Sequence, residues 1–118
     1  FILSHPNLPA NKIPYWDFNA PGIPSALRDA SAGAIMAAAL LELCTYVNKK
    51  DAKKYFNAAE TILKTLSSAE YKAAAGTNGG FIIKHGLGHN PNKTEVDVPL
   101  TYGDYYFIEA MMRYKNLK

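Results

Sequence analysis

The chain has 118 residues, of which 48% are hydrophobic and 19% charged, so its composition fits one globular domain and excludes a disordered polypeptide. The net charge is +3, and four lysines cluster at positions 49, 50, 53 and 54. Because no arginines or aromatics interleave with them, we interpret this cluster as a solvated helix face and predict no nucleic-acid partner. The chain contains no stretch of about 18 apolar residues, so the sequence predicts no membrane span. A single cysteine, Cys44, excludes an intrachain disulfide.

The first 24 residues predict little regular structure. Residues 1–4 read as the last turn of a helix that the following proline stops, and four further prolines make residues 7–24 a loop. The sequence starts at Phe1 rather than at methionine, so we expect a processed or partial polypeptide. Within the loop, Trp16 and Asp17 lie between two other aromatics. Either Trp16 pins the loop to the core, or Trp16 forms a ligand wall with Asp17 as a hydrogen-bond acceptor.

The next element is a predicted helix that Ser25 or Asp29 caps and that runs to about Val47. Between Ala30 and Cys44 its only charged residue is Glu42. A helix that is apolar around its whole circumference is normally buried on every side. We therefore expect neighbouring helices to surround it.

A second predicted helix, from Asp51 to about Ser68, is amphipathic instead. Its apolar residues recur at spacings of three and four, which is typical of a surface helix with one dry face: Tyr55, Phe56, Ala59, Ile62, Leu63 and Leu66. Phe81 to Lys84 predicts a short strand. Pro99 then opens a third helix, which is again nearly all apolar and runs to about Tyr114.

Buried and amphipathic helices thus alternate along the chain, as they do in a double-layered ring of helical hairpins with inner and outer helices. Three helices cannot close such a ring. Two helices that are apolar on all sides would leave large dry faces in water. The pattern therefore predicts that the chain is part of a larger protein or associates with another chain.

A polar loop follows the predicted strand and carries His85 and His89, four residues apart. On a helix this spacing would suit a metal, but the glycines at 86 and 88 argue against a helix, and no third ligand is evident. We predict no metal and no cofactor. Histidine, asparagine and lysine beside aromatic rings indicate a carbohydrate ligand, because rings stack on sugars while polar groups bind hydroxyls and acids. Lys93 would meet an acidic or sulfated group.

Arg28 and Asp29 precede the first long helix and allow two interpretations. They form a helix cap with a surface ion pair, which we favour, or Arg28 contacts the carboxylate of an acidic sugar. Asp104, on the apolar third helix, requires a partner, either Tyr102 or a backbone N–H. Ser31 lacks the sequence context of a nucleophile.

Three segments together resemble glycoside hydrolase family 88, the unsaturated glucuronyl hydrolases, over nearly the whole chain. The matching segments, in order, are PYWDFNAPGIP from Pro14, RDASA from Arg28 and KHGLGH from Lys84 followed by EVDVPLTYGDYYF from Glu95. The resemblance implies an all-α fold and makes residues 1–118 the C-terminal portion of one (α/α)6-barrel domain. It also implies that Trp16, Asp17, Arg28, Asp29, His85, His89 and Lys93 line the substrate cleft.

Members of this family act on an unsaturated uronic acid at the non-reducing end of oligosaccharides that lyases produce. An aspartate protonates the C4–C5 double bond and activates water, which adds at C5, and the resulting hemiketal opens. The resemblance places the catalytic aspartates upstream, so it implies no catalytic residue here and an inactive isolated chain. The expected partners are an unsaturated uronic-acid oligosaccharide and the remainder of the barrel or another copy. The alternatives are a non-catalytic carbohydrate-binding or helical assembly module, and a helical protein-interaction domain.

Overall fold

Three α-helices and one small β-hairpin form the framework, and the computed structural model describes all 118 residues. The mostly helical fold that the sequence predicts is confirmed. The elements are α1 (Ala30–Leu43), α2 (Lys49–Leu66), β1 (Gly86–His89), β2 (Thr94–Val98) and α3 (Thr101–Leu117), with 3-10 turns at Ile2–Ser4 and Asn78–Gly80. No helix combines the length and the apolar character that a membrane crossing needs.

Helix α1 begins where predicted, because the Asp29 side chain caps it and Ser25 does not. It ends at Leu43 rather than near Val47, since the following residues form turns. One stripe of small residues is buried against the rest of the chain: Ala30, Ala34, Ala37 and Ala38 with Leu41. On the opposite side Ile35 and Leu43 are exposed, so the 118 residues cover only part of this apolar helix, as expected of three helices that cannot close a ring.

Helix α2 has the amphipathic character that its sequence predicts. It begins at Lys49, two residues before the predicted start, because the Asn48 side chain accepts hydrogen bonds from Lys50 N at 3.0 Å and Asp51 N at 3.1 Å. Its dry face lies in the core, and its lysines are exposed, as expected. The buried residues of this face are Ala59, Ile62, Leu63 and Leu66.

Helix α3 begins at Thr101, two residues after Pro99, because Leu100 keeps an extended backbone. The prediction that Pro99 is the first helical residue is therefore wrong. At its other end the helix continues beyond Tyr114 to Leu117. Gly103 lets α3 approach α1 closely, since a Cβ there would lie 3.3 Å from Ser31 Cβ. On its other side α3 exposes large apolar side chains: Tyr102, Tyr105, Ile108, Met111 and Met112.

The β-structure lies further along the chain than predicted. Residues 81–84 form no strand, and only Ile83 makes an isolated bridge, to Lys72. Instead β1 and β2 pair antiparallel, with Leu87 opposite Val96, so the predicted polar loop is a hairpin. The segment before it is held by Asp104, whose carboxylate accepts from Ile82 N and Ile83 N, both at 2.8 Å. The prediction that Asp104 pairs with backbone N–H groups is thus confirmed.

A cluster of 14 buried residues forms the core between α1, α2 and the buried side of α3. Leu41, Ile62 and Leu66 are fully buried in it, and the loops contribute Ile13, whose side chain packs on Gly33 of α1. No buried side-chain nitrogen or oxygen lacks a hydrogen-bond partner. The core therefore places the N-terminal ends of α1 and α3 and the hairpin at one end of the molecule.

Candidate functional site

Asp29 fixes the hairpin to the start of α1. Its Oδ1 accepts hydrogen bonds from Ser31 N at 2.9 Å, from Ser31 Oγ at 2.6 Å and from Leu87 N at 3.2 Å. A second link joins Ala30 N to the carbonyl oxygen of His85 at 3.0 Å. The predicted cap is therefore confirmed, and the Asp29 carboxylate positions β1 as well as the helix.

Arg28 braces the proline-rich loop. Its Nη1 donates to Ile13 O at 2.8 Å and to Asn11 Oδ1 at 3.4 Å, and its guanidinium carbon lies 4.2 Å from the centre of the Tyr15 ring. No carboxylate lies within ion-pair distance of it, so the predicted surface ion pair is wrong. The half-buried guanidinium borders a depression at this end, and direct contact with a ligand stays a prediction.

Tyr15 anchors the aromatic part of this loop more deeply than Trp16 does. Tyr15 is 6% exposed and its hydroxyl donates to Pro24 O at 3.2 Å, whereas Trp16 is only half-buried. Asp17 is exposed, and its Oδ1 accepts from Asn19 N at 2.7 Å, which shapes its own turn. The structure thus leaves part of the indole and the Asp17 carboxylate at the surface, and their role as a ligand wall stays a prediction.

The depression beside Arg28 has a volume of about 220 Å³ and carries several polar and charged groups. It is lined by residues 25–28 together with Glu70, Tyr71, His85 and Asp97. His85 Nδ1 lies 2.6 Å from Asp97 Oδ1, which joins the residue before β1 to β2. Burial, followed by the charge of Glu70, raises the pKa of Tyr71, so its hydroxyl remains protonated at neutral pH.

His89 and Lys93 lie at the other end of the hairpin. The Nδ1 atom of His89 accepts from Asn92 N at 3.1 Å, and Lys93 is exposed in the turn with a φ of 57°. The two histidines therefore stand at opposite ends of β1 with separate partners. No group of three or more His, Cys, Asp or Glu side chains converges as metal ligands would.

The structure brings Arg28, Asp29 and His85 together at one end of the molecule, and the depression there is also lined by Glu70, Tyr71 and Asp97, which the sequence analysis did not name as site residues. Asp97 belongs to the alternation of Glu95 and Asp97 with Val96 and Val98, which has the period of a strand and would have been a usable signal. Tyr71 stands alone in a segment of small residues and offers no comparable pattern. Its place beside His85, with ring centres 5.9 Å apart, depends on tertiary packing.

A larger hollow of about 480 Å³ lies elsewhere and contains none of the predicted site residues. Lys72, Lys84 and small residues near the end of α2 line it, and Lys84 Nζ already donates to Ala69 O at 2.8 Å. It has no aromatic side chain on which a sugar ring would stack. The smaller depression beside Arg28 is therefore the better candidate site.

Comparison with known proteins shows strong similarity to enzymes of one kind. No protein-family model matches the chain. An unsaturated glucuronyl hydrolase of Formosa agariphila is 49% identical over 117 residues, which are 99% of this chain and 28% of the relative. A second, from Bacillus sp. strain GL1, is 34% identical over 90% of this chain and 28% of its own length. This chain thus spans less than a third of the relatives that it matches.

Solved structures agree with the sequence comparison. An unsaturated glucuronyl hydrolase specific for heparin superposes with a TM-score of 0.95 at 51% identity, covering 99% of this chain and 31% of the other. These structural neighbours are (α/α)6-barrel enzymes, so the three helices have the arrangement of a segment of that barrel. The resemblance and the fold class inferred from the sequence are both confirmed.

Proposed function

We propose that residues 1–118 are the C-terminal portion of an unsaturated glucuronyl hydrolase and form one wall of its substrate cleft. The observation that carries this proposal is the 49% identity over 99% of the chain, joined to a TM-score of 0.95. The compared region covers 99% of the chain and therefore includes the proline-rich loop and the hairpin as well as the helices. The proposal therefore concerns the functional end of the molecule and not only its core.

The proposed substrate is an oligosaccharide with an unsaturated uronic acid at its non-reducing end. Solved relatives are named as complexes with dGlcA-Glc-Rha-Glc and with dGlcA-GalNAc6S, two such sugars. The relative described as specific for heparin is 51% identical to this chain, whereas the chondroitin disaccharide hydrolases of streptococci are 28–31% identical. These values favour a heparin-derived disaccharide.

Each site residue has a proposed role that fits its placement. The Arg28 guanidinium and the His85 ring border the depression, so they would bind the acid and hydroxyl groups of the sugar. Trp16 would offer a ring face for stacking, and Lys93 would meet an acidic group at the far end of the hairpin. Asp29 would act through Leu87 by holding β1 in place. The acid–base aspartates of the reaction belong to the remainder of the barrel.

The test follows the absorbance of the C4–C5 double bond in unsaturated heparin and chondroitin disaccharides. The 118-residue chain alone should leave both absorbances unchanged. The longer polypeptide that contains it should remove the absorbance of the heparin disaccharide faster than that of the chondroitin disaccharide. In the longer protein, His85→Ala should raise KM, while the matched variant Lys53→Ala on the exposed side of α2 should not.

Two results would contradict the proposal. One is hydrolysis of either sugar by the 118-residue chain by itself. The other is a folded longer protein that binds saturated and unsaturated uronides equally well in calorimetry and hydrolyses neither, which would favour a carbohydrate-binding module.

A further inference from the structure

Asp97 is the one residue of β2 that the pairing with β1 passes over. The adjacent residues Gly86 and Leu87 lie opposite Val98 and Val96. Asp97 therefore has no partner across the hairpin and is the extra residue of a β-bulge. Its φ is 56°, in the left-handed region that residues other than glycine rarely adopt. Because bulges redirect a side chain and are frequent beside active sites, the placement of this carboxylate calls for an explanation.

His85, the residue that Asp97 reaches, has a similar backbone conformation. It lies directly before β1, has a φ of 64°, and its carbonyl oxygen accepts from Ala30 N at 3.0 Å. Its Nδ1 lies 2.6 Å from Asp97 Oδ1. Two left-handed residues are thus joined across the end of the hairpin. Strained backbone of this kind occurs most often at ligand-binding and active sites, where the surrounding structure maintains it.

The contact between His85 and Asp97 adds little to the stability of the fold. Their side chains are 41% and 50% exposed, and water screens the interaction of exposed charged groups. The same end of the hairpin is already held by two other hydrogen bonds, from Ala30 N to His85 O and from Leu87 N to the Asp29 carboxylate. A purely structural role therefore does not account for the strained geometry of the pair.

The hydrogen bond fixes which ring nitrogen of His85 carries the proton. A carboxylate only accepts hydrogen bonds, so Nδ1 donates to Asp97 and carries the proton. In the neutral imidazole the other nitrogen, Nε2, is then an acceptor. Nε2 has no hydrogen-bond partner in the chain, and the ring borders the depression beside Arg28. A free acceptor is therefore fixed at the edge of this depression.

We propose that His85 Nε2 accepts a hydrogen bond from a hydroxyl group of the bound sugar, and that Asp97 is the positioning residue that holds the ring in the required tautomer. This inference rests on the proposed function. A uronic acid presents a carboxylate, which needs donors, and hydroxyl groups, whose protons need acceptors. Arg28 only donates and suits the carboxylate, whereas His85 in this tautomer suits a hydroxyl. The depression is then complementary to both kinds of group.

The first experiment determines the tautomer without any sugar. NMR shifts of the ring nitrogens of the 118-residue chain, recorded at about pH 8 where histidine is mostly neutral, distinguish protonation at Nδ1 from protonation at Nε2. We expect the proton at Nδ1 in His85, and a mixture of both tautomers in Asp97→Ala. His5 and His89 are internal controls, because Nδ1 of each accepts from a backbone N–H, which requires the proton at Nε2. A proton at Nε2 of His85 in the parent chain would overturn the proposal.

The second experiment measures hydrolysis of the unsaturated disaccharide by the longer polypeptide that contains this chain. Asp97→Ala should raise KM about tenfold and change kcat by less than about twofold, because a hydrogen bond present in both the ground and transition states is lost. Asp97→Asn keeps an oxygen acceptor at the same place and should recover most of this loss. The matched control is Glu95→Gln, at an exposed acid on the same strand that also has a positive φ, and it should leave KM and kcat unchanged.

A double variant separates a positioning role from an independent one. If Asp97 acts through His85, Asp97→Ala should raise KM no further in a His85→Ala background than His85→Ala does alone. Effects of the two changes that multiply would overturn the proposal. Urea midpoints of all variants should stay close to that of the parent protein, as expected for an exposed pair, and a large fall in Asp97→Ala would show that the role is structural.

This inference and the proposed function fail separately in these tests. A longer protein that hydrolyses no unsaturated sugar contradicts the proposed function, whichever tautomer His85 adopts. A longer protein that hydrolyses the sugar with the same KM in its parent and Asp97→Ala forms contradicts the positioning role alone.

Discussion

Helices α2 and α3 have nearly the same length, 18 and 17 residues, but opposite surfaces. Helix α2 buries one apolar stripe and presents lysines to water. Helix α3 buries Phe107 and Ala110 against α1 and leaves isoleucine, tyrosine and methionine side chains exposed. The core of the 118 residues is thus complete around α2 and incomplete around α3.

This difference shows how the polarity of a helix surface identifies its environment in a larger fold. A helix that carries charge on one side needs only one layer of neighbours, whereas one that is apolar all round needs neighbours on both sides. Within the chain, α2 has the one layer of neighbours that its amphipathic surface requires. Helix α3 lacks the second layer that its apolar surface requires. The following changes test whether the two helices differ in this way.

The largest expected difference is between truncations on the two helices. Ile62→Ala on α2 removes a fully buried side chain and should lower the free energy of unfolding of the 118-residue chain by about 2–5 kcal/mol. Ile108→Ala on α3 removes a half-exposed one and should change that free energy by less than about 0.5 kcal/mol. Urea denaturation of both variants measures the contrast. Similar losses at the two positions would show that α3 is already covered.

The next effect concerns how α3 is joined to the segment before the hairpin. Asp104→Asn replaces one of two carboxylate oxygens that accept from Ile82 N and Ile83 N. Loss of a charged hydrogen bond should lower the free energy of unfolding by about 1–3 kcal/mol and speed amide exchange at both residues. Lys115→Gln, at an exposed position of the same helix, is the control. Unchanged exchange at residues 82 and 83 would contradict this role.

A smaller effect is expected at the start of α2. This helix has a side-chain cap, whereas Leu100 provides none for α3. Asn48→Ala should therefore cost about 1 kcal/mol of stability in thermal or urea denaturation, because two backbone N–H groups lose their acceptor. Asn57→Ala within the same helix should cost nothing. A stable Asn48→Ala variant would show that tertiary packing alone fixes this end.

The contact between α2 and α3 should also respond to pH. Hydrogen bonds from Tyr114 first and Lys64 second lower the pKa of Glu60 from 4.5 to about 2. Because the folded-state pKa lies below the unfolded value, the stabilisation is fully present above pH 4.5 and is lost as the pH falls towards 2. The stability difference between the parent chain and Glu60→Gln should shrink over this range in urea titrations. A difference that is constant with pH would contradict the assignment.

The sequence predicted those features that depend on local pattern. The stripe of α2 follows from its spacing, the cap at Asp29 follows from residue type and position, and the need of Asp104 for a partner follows from its apolar surroundings. The exposed apolar side of α3 agrees with the expectation that three helices cannot cover these faces by themselves. All these inferences depend only on residues that lie within a few helical turns of one another along the chain.

The sequence could not predict features that depend on distant partners. The hairpin was hidden because Gly86 and Gly88 read as loop residues, although a Cβ at Gly86 would lie 2.7 Å from Val98 O and glycine is required there. The acceptors of Arg28 include Ile13 O, 15 residues away, which no local pattern reveals. The Asp97 partner of His85 likewise becomes evident only once β1 and β2 are paired.

The brace between Arg28 and the proline-rich loop has a consequence for protein engineering. Loops are usually the parts that are exchanged between relatives to alter sugar preference, on the assumption that the framework tolerates the transfer. Here Asn11 O also accepts from Thr65 Oγ1 of α2 at 3.1 Å, so Asn11 is tied both to α2 and to Arg28, two residues before α1. A chimera that imports this loop should therefore also import Arg28 and Thr65. Without them the transferred loop would lose the hydrogen bonds that hold it in place.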